Sequence, residues 1–135
     1  MDDATAAVLA QIPSGTLIER LGIEVTEVSA ARAVGSMPVD GNTQPYGLLH
    51  GGATAALAET LWSLAAMVHA SPDGIAVGVD LNITHHRAAR EGVVTGVATQ
   101  IYAGRTVATY EIEITADDGK RLSTARLTCA IRPKA

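Results

Sequence analysis

The chain has 135 residues, 47% of them hydrophobic and 18% charged, with a formal net charge of -4. That balance excludes a disordered chain, and the acidic charge disfavours a nucleic-acid binder, which usually carries a basic footprint. A single cysteine, Cys129, excludes an intrachain disulfide, and an acidic start at Met1-Asp2-Asp3 lacks the basic lead of a secretory signal. One domain, 1–135, in the cytoplasm is the expectation, and with no Phe its core must be built from Ala, Val, Leu and Ile. In chain order, residues 1–22 read as an N-terminal helical segment: a helix over Ala4–Gln11 that Pro13 ends, then a short one over Thr16–Leu21, capped by Ser14 and stopped by Gly22. Ile23, Val25 and an offset Val28 alternate with polar residues as a strand, and Arg32–Val39 forms a hairpin with it. Asp40–Leu49 is a loop rich in turn formers.

Gly51–His69, within residues 50–70, reads as one long helix, apolar nearly all round and therefore enclosed rather than lying on a surface. Glu59 interrupts it, so it is too polar for a membrane span. Pro72-Asp73-Gly74 ends it. The rest is strand: Ile75–Arg87, Val93–Ile101, Thr106–Ile114 and Leu122–Arg132, joined by short turns as an antiparallel meander. The fold class is α+β, an antiparallel sheet curved around one central helix.

The chemistry concentrates between Gln44 and Ser63. His50-Gly51-Gly52 opens the long helix, where backbone N–H groups have no helical acceptor and the dipole is positive. Glycine there lets a ligand approach the backbone, which suits stabilisation of a developing oxyanion, and Gln44 and His50 can add donors. Glu59, with Ala and Leu neighbours, should be partly desolvated with a raised pKa; the alternative is a solubilising charge facing water. Ser63 follows one turn later on the same face. Gly51 and Glu59 are eight residues apart in sequence, about 12 Å along one helix. No single carbonyl carbon reaches both in one chain. If both act on one substrate, two antiparallel helices from a two-fold dimer must supply them.

The stretch Gln44-Pro45-Tyr46-Gly47-Leu48-Leu49-His50-Gly51-Gly52, with Ala58-Glu59 following, resembles the hotdog-fold acyl-CoA thioesterases. The similarity is to the Arthrobacter-type 4-hydroxybenzoyl-CoA thioesterase branch, with 1,4-dihydroxy-2-naphthoyl-CoA hydrolase and the phenylacetate-pathway type. Met37-Pro38-Val39-Asp40 and Val79–Gly92 extend it across most of the chain. The resemblance implies hydrolysis of an acyl-CoA thioester, aromatic in its acyl group, by a homo-oligomer with shared sites, a dimer of dimers. It implies no cofactor, because CoA is part of the substrate, and no membrane or nucleic-acid partner.

By the same resemblance Glu59 is nucleophile or general base, and the Gly51 backbone polarises the carbonyl. Gln44 and His50 orient the carbonyl or the water. Ser63 holds the water or the leaving thiolate. His85 and Arg87, with Ala88 and Gly78, match CoA-binding positions, and Tyr102, Gly104, Arg105 and Thr106 match the turn along pantetheine and phosphate. His86 departs from the pattern.

Adjacent His85 and His86 point to opposite faces of a strand and cannot readily share a metal ion, so no metal is expected. Cys129 alternates with Leu127 and Ile131 as a core residue. Trp62 reads as packing against the sheet or a partner subunit, and His69 as a complement to the helix dipole. A hotdog-fold dehydratase or hydratase is the rival activity, but its His-Phe-Pro-Gly stretch is absent. A non-catalytic acyl-CoA-binding module is a second rival, and would need no carboxylate at Glu59.

Overall fold

The fold is seen in a computed structural model that describes residues 1–135. Two short helices come first. α1 (Asp3–Leu9) is capped by Asp2, whose carboxylate accepts the Thr5 N–H at 2.7 Å. α2 (Leu17–Leu21) ends at Gly22, whose φ of 72° is the left-handed stop that glycine adopts without strain. Its N-cap is Thr16 rather than Ser14. Glu19 accounts for the shift, because its carboxylate reaches back to the Gly15 N–H at 3.1 Å. The first helix also stops before Gln11.

Six strands follow: β1 (Glu24–Val28), β2 (Arg32–Pro38), and, after the helix α3 (Gly51–Ala70), β3 (Gly74–His85), β4 (Val93–Ala103), β5 (Val107–Thr115) and β6 (Arg121–Pro133). They form one antiparallel sheet in the order β1-β2-β4-β5-β6-β3. The offset of Val28 has a physical cause, a register shift between Val25 and Glu27 that lets both valines face inward. β3 stops at His85, short of Arg87. There the His86 and Arg87 amides both turn to the single carbonyl of Leu122, and the ladder ends.

α3 crosses the inner face of the sheet and seats Leu57, Ala58, Leu61 and Ala65 in the core. Gly35 and Gly96 pair across β2 and β4. A Cβ would stand 2.9 Å from Leu61 Cδ2 at Gly35, and 2.6 Å from Cδ1 at Gly96. Two glycines thus make the seat for one leucine, whose full burial is worth about 1.5–3 kcal/mol. Trp62 packs against the sheet, with Cζ2 2.9 Å from where a Gly78 Cβ would be.

The sheet does not enclose the helix completely. Gly52 and Glu59 are exposed and Ala56 and Ser63 half-buried, so an uncovered stripe of mostly small residues runs along α3. No helix is long and apolar enough to cross a membrane.

Candidate active site

The loop before α3 is built to hold that helix's first turn. Asn42 is buried, and its side-chain amide donates to the carbonyls of Leu21 and Pro38, each at 2.8 Å. Its own carbonyl accepts the His50 N–H at 2.9 Å. Gln44 Oε1 accepts the N–H groups of Tyr46 and Leu48, which leaves the amide nitrogen of Gln44 as a free donor beside the helix.

His50 is the N-cap, and its Nδ1 accepts the Gly52 N–H at 2.8 Å. That bond requires an unprotonated Nδ1, so the neutral ring carries its proton on Nε2. The His50 carbonyl accepts from Ala53 and Thr54. Of the first four α3 amides, Gly51 alone has no acceptor. The single open donor therefore lies at the positive end of a 20-residue helix.

A pocket of about 360 Å³ opens there, lined by Gln44, Leu48, Leu49, Gly51, Thr54, His85, Arg87, Ala88 and Ser123 among others. His85 stands against the helix start: a Cβ on Gly51 would lie 2.9 Å from its Nε2. The other ring nitrogen, Nδ1, is 3.0 Å from Oγ of buried Ser123. Both His85 and Gly51 therefore face one space, and the residue at position 51 must lack a side chain.

Arg87 lies at the same mouth and pairs with Asp118 at 3.4 Å. The Lys120 N–H, and then Arg87, hold the Asp118 carboxyl below the usual carboxylate range. His86 lines the pocket too, and its Nε2 is 2.9 Å from Thr124 Oγ1. No group of three or more His, Cys, Asp and Glu side chains converges.

Glu59 lies elsewhere. It is exposed in the single chain, not partly desolvated, because it stands on the stripe that the sheet leaves bare. Its Oε1 is 3.5 Å from where a Gly78 Cβ would be, beside Trp62. Ser63 is half-buried and donates to the Thr60 carbonyl at 3.2 Å. Tyr102, near the end of β4, and Gly104, Arg105 and Thr106, in the β4–β5 connection, lie at the far end of α3, where His69 Nε2 donates to the Gly104 carbonyl at 2.8 Å. Arg105 and Thr106 line a second pocket there with Asp73 and Arg132.

The site residues thus fall into three groups within one chain. Gln44, Gly51, His85, Arg87 and Ala88 line one pocket at the α3 N-terminus, whereas His50, the N-cap, lines a separate pocket with Gly52 and Ala56. Glu59, Ser63 and Gly78 lie at mid-helix, and Tyr102, Gly104, Arg105 and Thr106 beyond them. Leu48, Leu49, Thr54, Leu122 and Ser123 also line the first pocket and went unmarked in the sequence. Ser123 had one available signal, as the polar member of an inward alternation with Ala125, Leu127 and Cys129.

The thioesterase superfamily model matches residues 46–123, which include Glu59 and every lining residue of the first pocket except Gln44. The chain is 45% identical to a proofreading thioesterase EntH from Cronobacter turicensis, over 87% of this chain and 86% of the relative. It is 41% identical to a Klebsiella pneumoniae protein of the same name, over 96% and 95%. The crystal structure of a thioesterase from Haemophilus influenzae superposes with a TM-score of 0.87 at 37% identity, covering 93% of this chain and 88% of that one. With a matching sheet around a matching helix and an open amide at the helix start, the chain belongs to the thioesterase superfamily and is a hotdog-fold thioester hydrolase.

Proposed function

We propose that the protein hydrolyses an aromatic acyl-CoA thioester to the free acid and CoA, at sites shared between two chains. The Gly51 N–H supports this most strongly, as the one first-turn amide without an acceptor. It would donate to the thioester oxygen as negative charge develops there, with Gln44 and the His50 Nε2–H as further donors. Glu59 supplies the other half. It either takes a proton from the attacking water or attacks the carbonyl carbon itself, giving an anhydride that water then cleaves. In both routes the thiolate of CoA leaves and is protonated, and Ser63 is placed to hold the water or the thiolate.

The separation of about 12 Å along α3 keeps Gly51 and Glu59 of one chain from meeting at one carbon. The bare stripe, with Gly52, Ala56 and Ser63, suits close approach of a second helix. β3 is an end strand of the sheet and exposes Ile75, Val77 and Val79, a surface that a second copy would cover. Such a dimer sets the Glu59 of one chain beside the Gly51 of the other, and two dimers form the tetramer. His85, Arg87 and Ala88 from one chain and Gly78 and the Tyr102–Thr106 turn from the other would then flank one CoA. The site calls for no metal and no cofactor beyond the CoA of the substrate. The acidic chain with a lone buried thiol suits the cytoplasm.

The aromatic acyl group rests on the resemblance to the aromatic acyl-CoA branch, and Leu48, Leu49 and Leu122 give it apolar walls. A panel of aromatic and aliphatic acyl-CoAs, followed by thiol release, tests this. Aromatic esters should have the highest kcat/KM; a preference for long aliphatic chains would contradict it.

A further inference from the structure

We infer that His69 is a positioning residue that holds the β4–β5 turn in place for the nucleotide half of the substrate. This rests on the proposed reading of that turn as a CoA contact. His69 is in the last turn of α3, half-buried, and its Nε2 is 2.8 Å from the carbonyl oxygen of Gly104, 35 residues away. A carbonyl can only accept, so Nε2 carries the proton, and the tautomer is fixed by the contact. The dipole explains a base at a helix C-terminus but not this reach across to another element.

The turn is otherwise lightly held. Gly104 sits so close to the chain that a Cβ there would be 2.3 Å from the Val107 carbonyl oxygen and 2.8 Å from Tyr102 Cε2. The Thr106 carbonyl accepts the Ile131 N–H at 2.8 Å. Arg105, between these anchors, is exposed and lines the pocket that it shares with Asp73 and Arg132. The His69 bond is the one hydrogen bond between this turn and the helix that carries Glu59. It therefore sets where a cation stands relative to the carboxylate. An anionic ligand whose thioester is at Glu59 and whose phosphates reach Arg105 would feel that spacing; an uncharged short thioester would not.

The test compares His69→Asn, His69→Gln and Arg105→Ala on one benzoyl thioester carried by CoA and by N-acetylcysteamine. A glutamine amide nitrogen reaches about as far as Nε2, whereas an asparagine one reaches only as far as Nδ1. His69→Asn should raise KM for the CoA ester about three- to tenfold, the scale of one hydrogen bond, and leave kcat and the short ester unchanged. His69→Gln should restore the CoA KM to within about twofold of wild type. Equal KM values for wild type and His69→Asn on the CoA ester would overturn the inference. So would equal losses on both esters, or failure of glutamine to do better than asparagine. Arg105→Ala reads the underlying assignment separately: an unchanged KM for the CoA ester removes Arg105 as a phosphate contact, whatever the His69 variants show.

Discussion

The N-terminal end of α3 is finished within one chain, whereas its middle is not. At the N-terminus Asn42, Gln44, His50, His85 and Ser123 all have identified partners, and one amide is left open. At mid-helix Glu59 stands in solvent with no hydrogen bond to its carboxylate, although it is the one acidic residue of the helix. A preorganised donor needs its surroundings fixed in advance. A carboxylate that completes a site from across an interface does not find its setting until that interface forms. On the proposed reading, one chain holds the two halves of a site about 12 Å apart on one helix, the first with its partners in place and the second without them.

The largest expected effect strikes the exposed half. Glu59→Gln keeps the shape and removes the charge, and kcat should fall about 10²–10⁴-fold, the usual scale for a positioned acid or base. Steady-state kinetics at saturating substrate measure this, and retention of more than about half the activity would remove Glu59 from the reaction. The finished half should be less tolerant of shape than of charge. Gly51→Ala keeps the N–H but drives a methyl to within 2.9 Å of His85 Nε2. It should lower kcat roughly tenfold to a hundredfold, below the 10²–10³ cost of losing an oxyanion donor outright. Circular dichroism on the same sample separates this from unfolding.

Two stability measurements sharpen the same comparison. Tyr110 is fully buried on the sheet; its hydroxyl donates to the Ala30 carbonyl at 3.0 Å and accepts from Gln100. Burial, and then Cys129 nearby, push its phenol up to about 12. The folded pKa is raised, so the stabilisation is complete below the unfolded value near 10 and is lost as pH climbs through about 12. Urea unfolding should show about 2–3 kcal/mol lost across that window, and Tyr110→Phe should flatten the loss. Asn42 supports the N-terminal end, and Asn42→Ala should cost about 1–3 kcal/mol for its two carbonyl contacts. If Asn42→Ala left both stability and kcat at wild-type values, the loop would not be what fixes the first turn.

Much of the fold was legible. The period-two runs became β1 to β6, and the Ala- and Leu-rich stretch became α3 with an end one residue from the expected place. What the periodicity could not convey was which side of α3 the sheet leaves bare. An all-round apolar helix has no polar face to announce it, so Glu59 read as enclosed when it is exposed. The cap of α2 was misread because Glu19, not a serine hydroxyl, reaches the preceding amide. Within the site, the geometry of His50-Gly51-Gly52 at a helix start was readable from helix chemistry alone. The contact of His85 with Gly51 was not, since it joins residues 34 positions apart and no local spacing encodes it.

The central claim is that each active site takes its open amide from one chain and its carboxylate from another, and subunit mixing tests it most directly. Glu59→Gln and the double variant Gln44→Ala with His50→Ala should each be nearly inactive alone. Refolded together in equal amounts, half the dimers should be mixed, each with one intact site of two, and about a quarter of wild-type activity should return. No recovery of activity in a sample where mass spectrometry shows mixed dimers would contradict the shared site and place Glu59 in the service of its own chain.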